Sequence, residues 1–286
     1  MADLPIGVDL KGEVCAITGG AGVLCSCMAE YIAAAGAKVA VLDIAEEQAT
    51  KVANAIKKAG GEAQFFTCNV LEKESIKKCA EAIEKKYGPV TILINGAGGN
   101  SPKATTSVEW LTPETVKAAL DDEKSIFNLD EKAFQFALNL NLMGTLLPSQ
   151  VFGRSMAVRG KGNIINISSM SAYAPLTKVA AYCAAKAAVT NFTEWLAVHF
   201  AKVGIRVNAI APGFLDTAQN HFLLFNKDET LSDRGRKIMA KTPMGRFATP
   251  DELIGTLLYL LSNKAAGFVT GVVIPVDGGF TAYSGV

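Results

Sequence analysis

Histidine is scarce in this chain: 286 residues hold two, His199 and His221. The six cysteines, Cys15, Cys25, Cys27, Cys68, Cys79 and Cys183, are scattered, and no pair has metal-ligand spacing. A metal centre is therefore not expected. No apolar run reaches the roughly 20 residues that cross a bilayer. The opening stretch MADLPIGVDLKGE has neither a basic n-region nor an apolar h-region, so no signal peptide is expected. An excess of either charge is missing too. Against 28 Lys and Arg stand 27 Asp and Glu, a net charge of +1, which gives no pull toward nucleic acid or an anionic membrane. Dispersed thiols in apolar surroundings fit reduced cysteines and a cytoplasmic location.

What the chain does have is rhythm. Val- and Ile-rich runs at 14–18, 38–43, 63–70, 90–96, 162–169, 205–213 and 271–279 show little polar alternation. Strands covered on both faces read this way. Helical patterns at 23–35, 46–59, 73–87, 182–202 and 250–262 lie between them. The alternation predicts one α/β domain over 1–286: a doubly wound Rossmann-type sheet, seven-stranded and mainly parallel, with helices on both faces. Such sheets bind ligands outside the carboxyl ends of their strands. Two stretches interrupt the pattern at such ends, an insertion at 99–131 and a loop at 214–247. The second is expected to enclose a substrate. The first fits either that role or a surface or subunit contact.

The first strand runs into TGGAGVLC, residues 18–25. A strand, a glycine turn and a helix offer free backbone N–H groups to a phosphate. Gly19, Gly20 and Gly22 allow close approach, and the amides near Val23 and Leu24 would sit at the helix N-terminus. Cys25 occupies the place where many such turns carry a last glycine. Asp43 closes the second strand, where a carboxylate can accept hydrogen bonds from ribose hydroxyls and repel a 2′-phosphate. Ile44, Ala45, Glu46 and Glu47 follow it and supply no cation, which favours NAD(H) over NADP(H). A helix-capping acid is the plainer alternative for Asp43.

Tyr182 and Lys186 are four residues apart, so a helix puts them on one face, and Ser169 ends a strand thirteen residues earlier. An ammonium beside a phenol lowers its pKa toward neutral acid–base work, and a serine hydroxyl can hold a substrate oxygen.

Together these stretches resemble the short-chain dehydrogenase/reductase family over nearly the whole chain. TGGAGVLC matches its glycine turn with Val23 and Cys25 in place of two glycines. NGAG at 95–98 matches the end of its fourth strand, and Asn69-Val70 stands where the family has Asp-Val. Asn141 in NLMGT falls at its helix bulge, NAIAPGFLDT supplies Pro212, Gly213, Phe214 and Thr217, and PVDGGF closes the last strand. The resemblance implies a catalytic set of Asn141, Ser169, Tyr182 and Lys186. It implies cofactor contacts from Gly19, Gly22, Val23, Leu24, Asp43, Ile44, Asn69, Val70, Asn95, Ala97, Gly98, Pro212, Gly213, Phe214 and Thr217, with Tyr182 and Lys186. Residues 125–152 and the tail from Pro275 look like a subgroup acting on sugar acids. A sugar acid needs a cation and polar groups; Asn100, Lys103, Ser171, Gln219, Asn220 and Arg234 are the candidates, with Lys178, His221, Arg236 and Lys237 nearby in sequence. The family usually forms homotetramers through helices around 130–160 and 182–202 and the last strand. Another polyol or sugar dehydrogenase, or a non-catalytic NAD(H)-sensing or scaffold protein on the same fold, are the alternatives.

Overall fold

The structure, a computed structural model, describes residues 7–118, 125–217 and 220–285. Seven strands form one sheet: β1 (Val14–Thr18), β2 (Lys38–Asp43), β3 (Glu62–Thr67), β4 (Ile92–Asn95), β5 (Gly162–Ile167), β6 (Ile205–Pro212) and β7 (Val273–Val276). Their order is β3-β2-β1-β4-β5-β6-β7 and every pairing is parallel. The sequence predicts the third strand through residue 70, yet it stops at Thr67. Asn69 there folds the chain back, its Oδ1 accepting from the Leu71 N–H at 3.0 Å and its carbonyl from the Glu72 N–H at 3.1 Å.

The helices are α1 (Val23–Ala34), α2 (Glu46–Lys58), α3 (Lys73–Tyr87), α4 (Pro113–Ala118), α5 (Glu131–Leu138), α6 (Gly144–Arg159), α7 (Ala180–Phe200), α8 (His221–Leu224), α9 (Asp233–Lys241), α10 (Ile254–Leu261) and α11 (Asn263–Ala266). Acids in the first turn and lysines in the last turn of α2 and α3 complement the helix dipole. A π-helical segment, Asn139–Met143, joins α5 to α6.

Side chains alternate across the strands, which explains the apolar runs. Cys15 and Ile17 of β1 and Val39 and Val41 of β2 pack beneath α1, α2 and α10, against Met28, Ile32, Ile56 and Leu257. Val14, Ala16, Ala40 and Leu42 pack on the other face, against Ile76, Ile83, Phe152 and Met156 of α3 and α6. Each fully buried aliphatic side chain contributes about 1.5–3 kcal/mol. The strand order reverses between β1 and β4, opening a crevice at their carboxyl ends. The long segments after β4, β5 and β6 gather at that same end.

Candidate active site

The floor of the crevice is set by close backbone approach. Gly19 has φ +63°, and a Cβ there would lie 2.8 Å from the Ala97 backbone. Thr18 Oγ1 accepts from the Gly96 and Ala97 N–H groups at 3.1 and 3.2 Å, clamping the end of β4 to the end of β1. Gly22 enters α1 in extended conformation and has no side chain with which to cap it. The first-turn amides, those of Val23 and Leu24 among them, are thus left for an anion at the positive end of a 12-residue helix. Asp43 Oδ2 accepts from the Ala21 N–H at 3.0 Å and Oδ1 from the Ala45 N–H at 2.9 Å. One carboxylate therefore braces the turn and the approach to α2, whose N-cap is Ala45, so Asp43 is not that helix's capping residue. Ile44 beside it is 72 % exposed. An open glycine turn, uncapped amides and an acid ending β2 fit a dinucleotide.

The cysteine in the turn has a structural partner that the sequence does not announce. A Cβ on Gly96 would stand 2.1 Å from Cys25 Sγ. The thiol fills the space that any larger residue at 96 would need. Burial pushes it up to about 12, so it stays neutral. Both residues stand in family motifs, but their contact depends on how β4 meets α1, and the sequence pattern is silent on that.

A cavity of about 320 Å³ opens above this floor. Leu24, Gly96 and Gly98 line it from the nucleotide side, Ser169 from just past β5, Tyr182 and Lys186 from α7, Pro212 from the end of β6, and Gly213, Phe214, Thr217 and Asn220 from the segment that follows. A larger hollow of about 910 Å³ lies at the opposite, amino ends of the strands, lined in part by Glu13, Ile92, Asn163 and Arg206. That is away from the end where parallel sheets bind ligands.

At the cavity wall, Ser171 holds the Ser169 hydroxyl. The Ser171 N–H and Oγ–H donate to Ser169 Oγ at 3.2 and 3.0 Å. Ser169 and Tyr182 share the cavity wall. Lys186 is 5 % exposed; its Nζ donates to the Ile167 carbonyl at 2.7 Å and lies 5.6 Å from the Tyr182 ring centroid. Burial pushes the Tyr182 pKa up, and Ser169 opposes that rise. Lys186 shares the desolvated wall and is itself pushed down to about 8. Each group bears the cost of holding charge away from water.

Asn141 is fully buried in the π-helical segment. Its Nδ2 donates to the Gly99 and Ala137 carbonyls, both at 2.7 Å, and its Oδ1 accepts from the Gly99 N–H at 3.2 Å. A Cβ on Gly98 would lie 2.6 Å from Asn141 Oδ1 and 3.3 Å from Lys186 Nζ. Asn141 thus fixes the strand end that faces the lysine.

Other predicted site residues are spent elsewhere. Asn95 is buried and donates to Ser149 Oγ at 3.0 Å and Asn166 Oδ1 at 2.8 Å, beneath the crevice, because the last residue of β4 points into the core. Gly96–Gly98 take its place along the groove. Asn69 turns its amide to Glu72 at 2.8 Å, and Val70 packs under Gly144. Among the substrate candidates, Ser171 orients Ser169. Asn220 lines the cavity but ties its own turn, accepting from the Thr217 N–H and Oγ–H at 2.9 Å and donating to the Leu215 carbonyl at 2.8 Å. Asn100 is exposed and donates to Thr105 Oγ1 at 2.9 Å. Lys103 is exposed and outside the cavity lining, Arg234 is half-buried on α9, and Gln219 lies outside the described residues.

A parallel sheet with its reversal at β1/β4 and a Ser-Tyr-Lys set beside a dinucleotide turn define a nicotinamide-dependent oxidoreductase of CH–OH groups. A family model described as enoyl-(acyl carrier protein) reductase matches residues 21–281. The chain belongs to the short-chain dehydrogenase/reductase family. It is 51 % identical to an uncharacterized oxidoreductase from Haemophilus influenzae, over 97 % of this chain and 96 % of that one. A crystal structure from Haemophilus influenzae with NAD bound, provisionally assigned as a D-mannonate oxidoreductase, superposes with a TM-score of 0.92 at 50 % identity, covering 99 % and 100 % of the two chains. A gluconate 5-dehydrogenase from Burkholderia cenocepacia in complex with NADP and tartrate gives a TM-score of 0.81 at 27 % identity, covering 98 % and 99 %.

Proposed function

We propose that this protein interconverts D-fructuronate and D-mannonate using NAD(H). The observation that carries the reading is the gathering of Ser169, Tyr182 and buried Lys186 on one cavity wall, with Ser171 holding the Ser169 hydroxyl. When bound, the nicotinamide supplies or accepts the hydride. Tyr182 gives its proton to the substrate carbonyl oxygen, and burial keeps it protonated until that oxygen develops charge. Ser169 hydrogen-bonds the same oxygen, Lys186 holds the ribose side, and Asn141 keeps Gly98 and Gly99 from closing on the lysine. Asp43 selects NAD by accepting ribose hydroxyls. The likeness to the Haemophilus influenzae structure, provisionally assigned as a D-mannonate oxidoreductase, supports the substrate.

No helix among the described residues is long and apolar enough to cross a membrane. We place the protein in the cytoplasm as a homotetramer. Exposed Phe136, Val158, Trp195 and Val198 on α5, α6 and α7 support the subunit contacts.

The test follows NADH and NADPH consumption with D-fructuronate, 5-keto-D-gluconate and neutral D-fructose. Fastest turnover is expected for D-fructuronate with NADH. Preference for 5-keto-D-gluconate would move the protein to the gluconate dehydrogenases, and NADH binding without consumption would make it a sensor.

A further inference from the structure

We propose that Asn220 is a positioning residue that fixes the Thr217 hydroxyl as an acceptor, and that the site thereby selects a carboxamide-bearing nicotinamide over its deamidated, carboxylate form. The inference goes beyond the proposed substrate and holds for any sugar acid. Both residues line the cavity that also holds Ser169, Tyr182 and Lys186. The direction of their hydrogen bonds follows from backbone partners. The Thr217 N–H can only donate, and it meets Asn220 Oδ1 at 2.9 Å. The Leu215 carbonyl can only accept, and it meets Asn220 Nδ2 at 2.8 Å. The Asn220 amide therefore has one orientation. Thr217 Oγ1 lies 2.9 Å from the same Oδ1, which carries no proton, so the hydroxyl is the donor there. Its single proton is spent, and what it keeps for a ligand is lone pairs alone.

The turn is closed from both sides. The Thr217 carbonyl accepts from the Asn220 N–H at 3.0 Å and from the His221 N–H at 2.8 Å. Asn220 stands at the N-cap of α8, where asparagine ordinarily caps the helix with its side chain, yet it makes no such bond. Its amide is turned back onto Thr217 and Leu215 instead. What the hydroxyl meets follows from the walls of the cavity. Hydride passes between the nicotinamide and a carbon whose oxygen reaches Tyr182, so the ring lies here. From the end of β6 onward the wall presents Pro212, Phe214 and Leu215, which are apolar, and then Thr217 and Asn220. The carboxamide is the ring's one polar substituent, and Thr217 is the side chain on this wall with lone pairs to offer it. An –NH2 donates to those lone pairs. A carboxylate brings only further lone pairs and is repelled.

The test compares the binding of NAD+ with that of nicotinic acid adenine dinucleotide, which has a carboxylate in place of the carboxamide, by isothermal titration calorimetry without substrate. Wild type is expected to bind NAD+ more tightly by about tenfold or more. Asn220→Ala frees the Thr217 proton to turn toward a carboxylate. That variant should bind the deamidated dinucleotide more tightly than wild type does, while binding NAD+ no better. A merely structural asparagine would produce no such gain, because its loss weakens both ligands alike. Thr217→Val removes the hydroxyl and should narrow the ratio, whereas Thr217→Ser should keep it. Equal affinities in wild type, or equal weakening of both dinucleotides in Asn220→Ala, overturns the proposal. Should Asn220→Ala fail to fold, the Thr217 variants decide: a ratio unchanged in Thr217→Val overturns it equally.

Discussion

The two sides of the cleft are built by different forces. On the nucleotide side, contacts are made by backbone and buried atoms: Gly19 against Ala97, Thr18 against the Gly96 and Ala97 amides, Cys25 in the gap at Gly96. Side chains there cannot change size without moving a strand. On the substrate side, the long segments are tied by exposed ion pairs: Lys237 with Glu109, His221 with Asp216 and Glu229, Arg246 with Glu252. Such pairs are individually weak and screened by salt. The first side is therefore restricted to a few residue types, whereas the second can be rewritten for a new substrate without unfolding the sheet.

The sharpest division of the two is expected at Tyr182, which touches both. Tyr182→Phe removes one oxygen and keeps the packing, so turnover should fall by about 10²–10⁴-fold while NADH affinity, read by fluorescence titration, stays as in wild type. If NADH binding fell with turnover, the nucleotide side would depend on the phenol, and the separation of the two sides would be lost.

The next effect tests whether the nucleotide side is as tightly interlocked as its distances say. Gly96→Ala places a methyl 2.1 Å from Cys25 Sγ. Overpacking of that kind costs about 1–3 kcal/mol, and Tm and NADH affinity should fall together. Cys25→Ala removes the sulfur, so Gly96→Ala with Cys25→Ala should recover most of the loss, with a coupling of about 1–2 kcal/mol in a double-mutant cycle. Strictly additive losses in the double variant would show that the thiol and the glycine do not share the space.

This contrast also explains what could be read without coordinates. The sheet was legible because its strands are buried on both faces, and bounds such as 14–18 and 38–43 match. The turn, Asp43 and the Ser-Tyr-Lys spacing were legible because each needs a particular residue type at a fixed offset. Asn95 was misplaced because sequence does not say which way the last residue of a strand points. Spacing brings Lys186 close to Tyr182 but does not count the water excluded around both, which pushes the phenol up and the lysine down. The Cys25–Gly96 fit and the Glu109–Lys237 tie link residues 71 and 128 positions apart. No local pattern encodes either one.

The smallest expected effect lies wholly on the substrate side and turns on protonation. His221 Nδ1 is 2.9 Å from Asp216 Oδ1 and its Nε2 is 3.0 Å from Glu229 Oε2, while its ring stacks on Phe225 at 4.5 Å. The hydrogen bond to Asp216, then that to Glu229, raises the imidazole pKa above its ordinary value. A raised folded-state pKa means that the tie is fully present below about 6.5, the value of a free histidine. It is lost as pH rises through the raised value. Limited proteolysis within 214–247 should therefore be slowest below about pH 6.5 and should quicken as pH rises above the range of a free histidine. Cleavage elsewhere should not share this dependence, because the nucleotide side has no such pair. His221→Gln keeps a polar side chain but cannot become cationic, so it should abolish the pH difference whatever its absolute rate. A wild-type loop cut equally fast across that range would mean that stacking and neutral hydrogen bonds hold it, and that the weaker side of the cleft does not owe its order to charge.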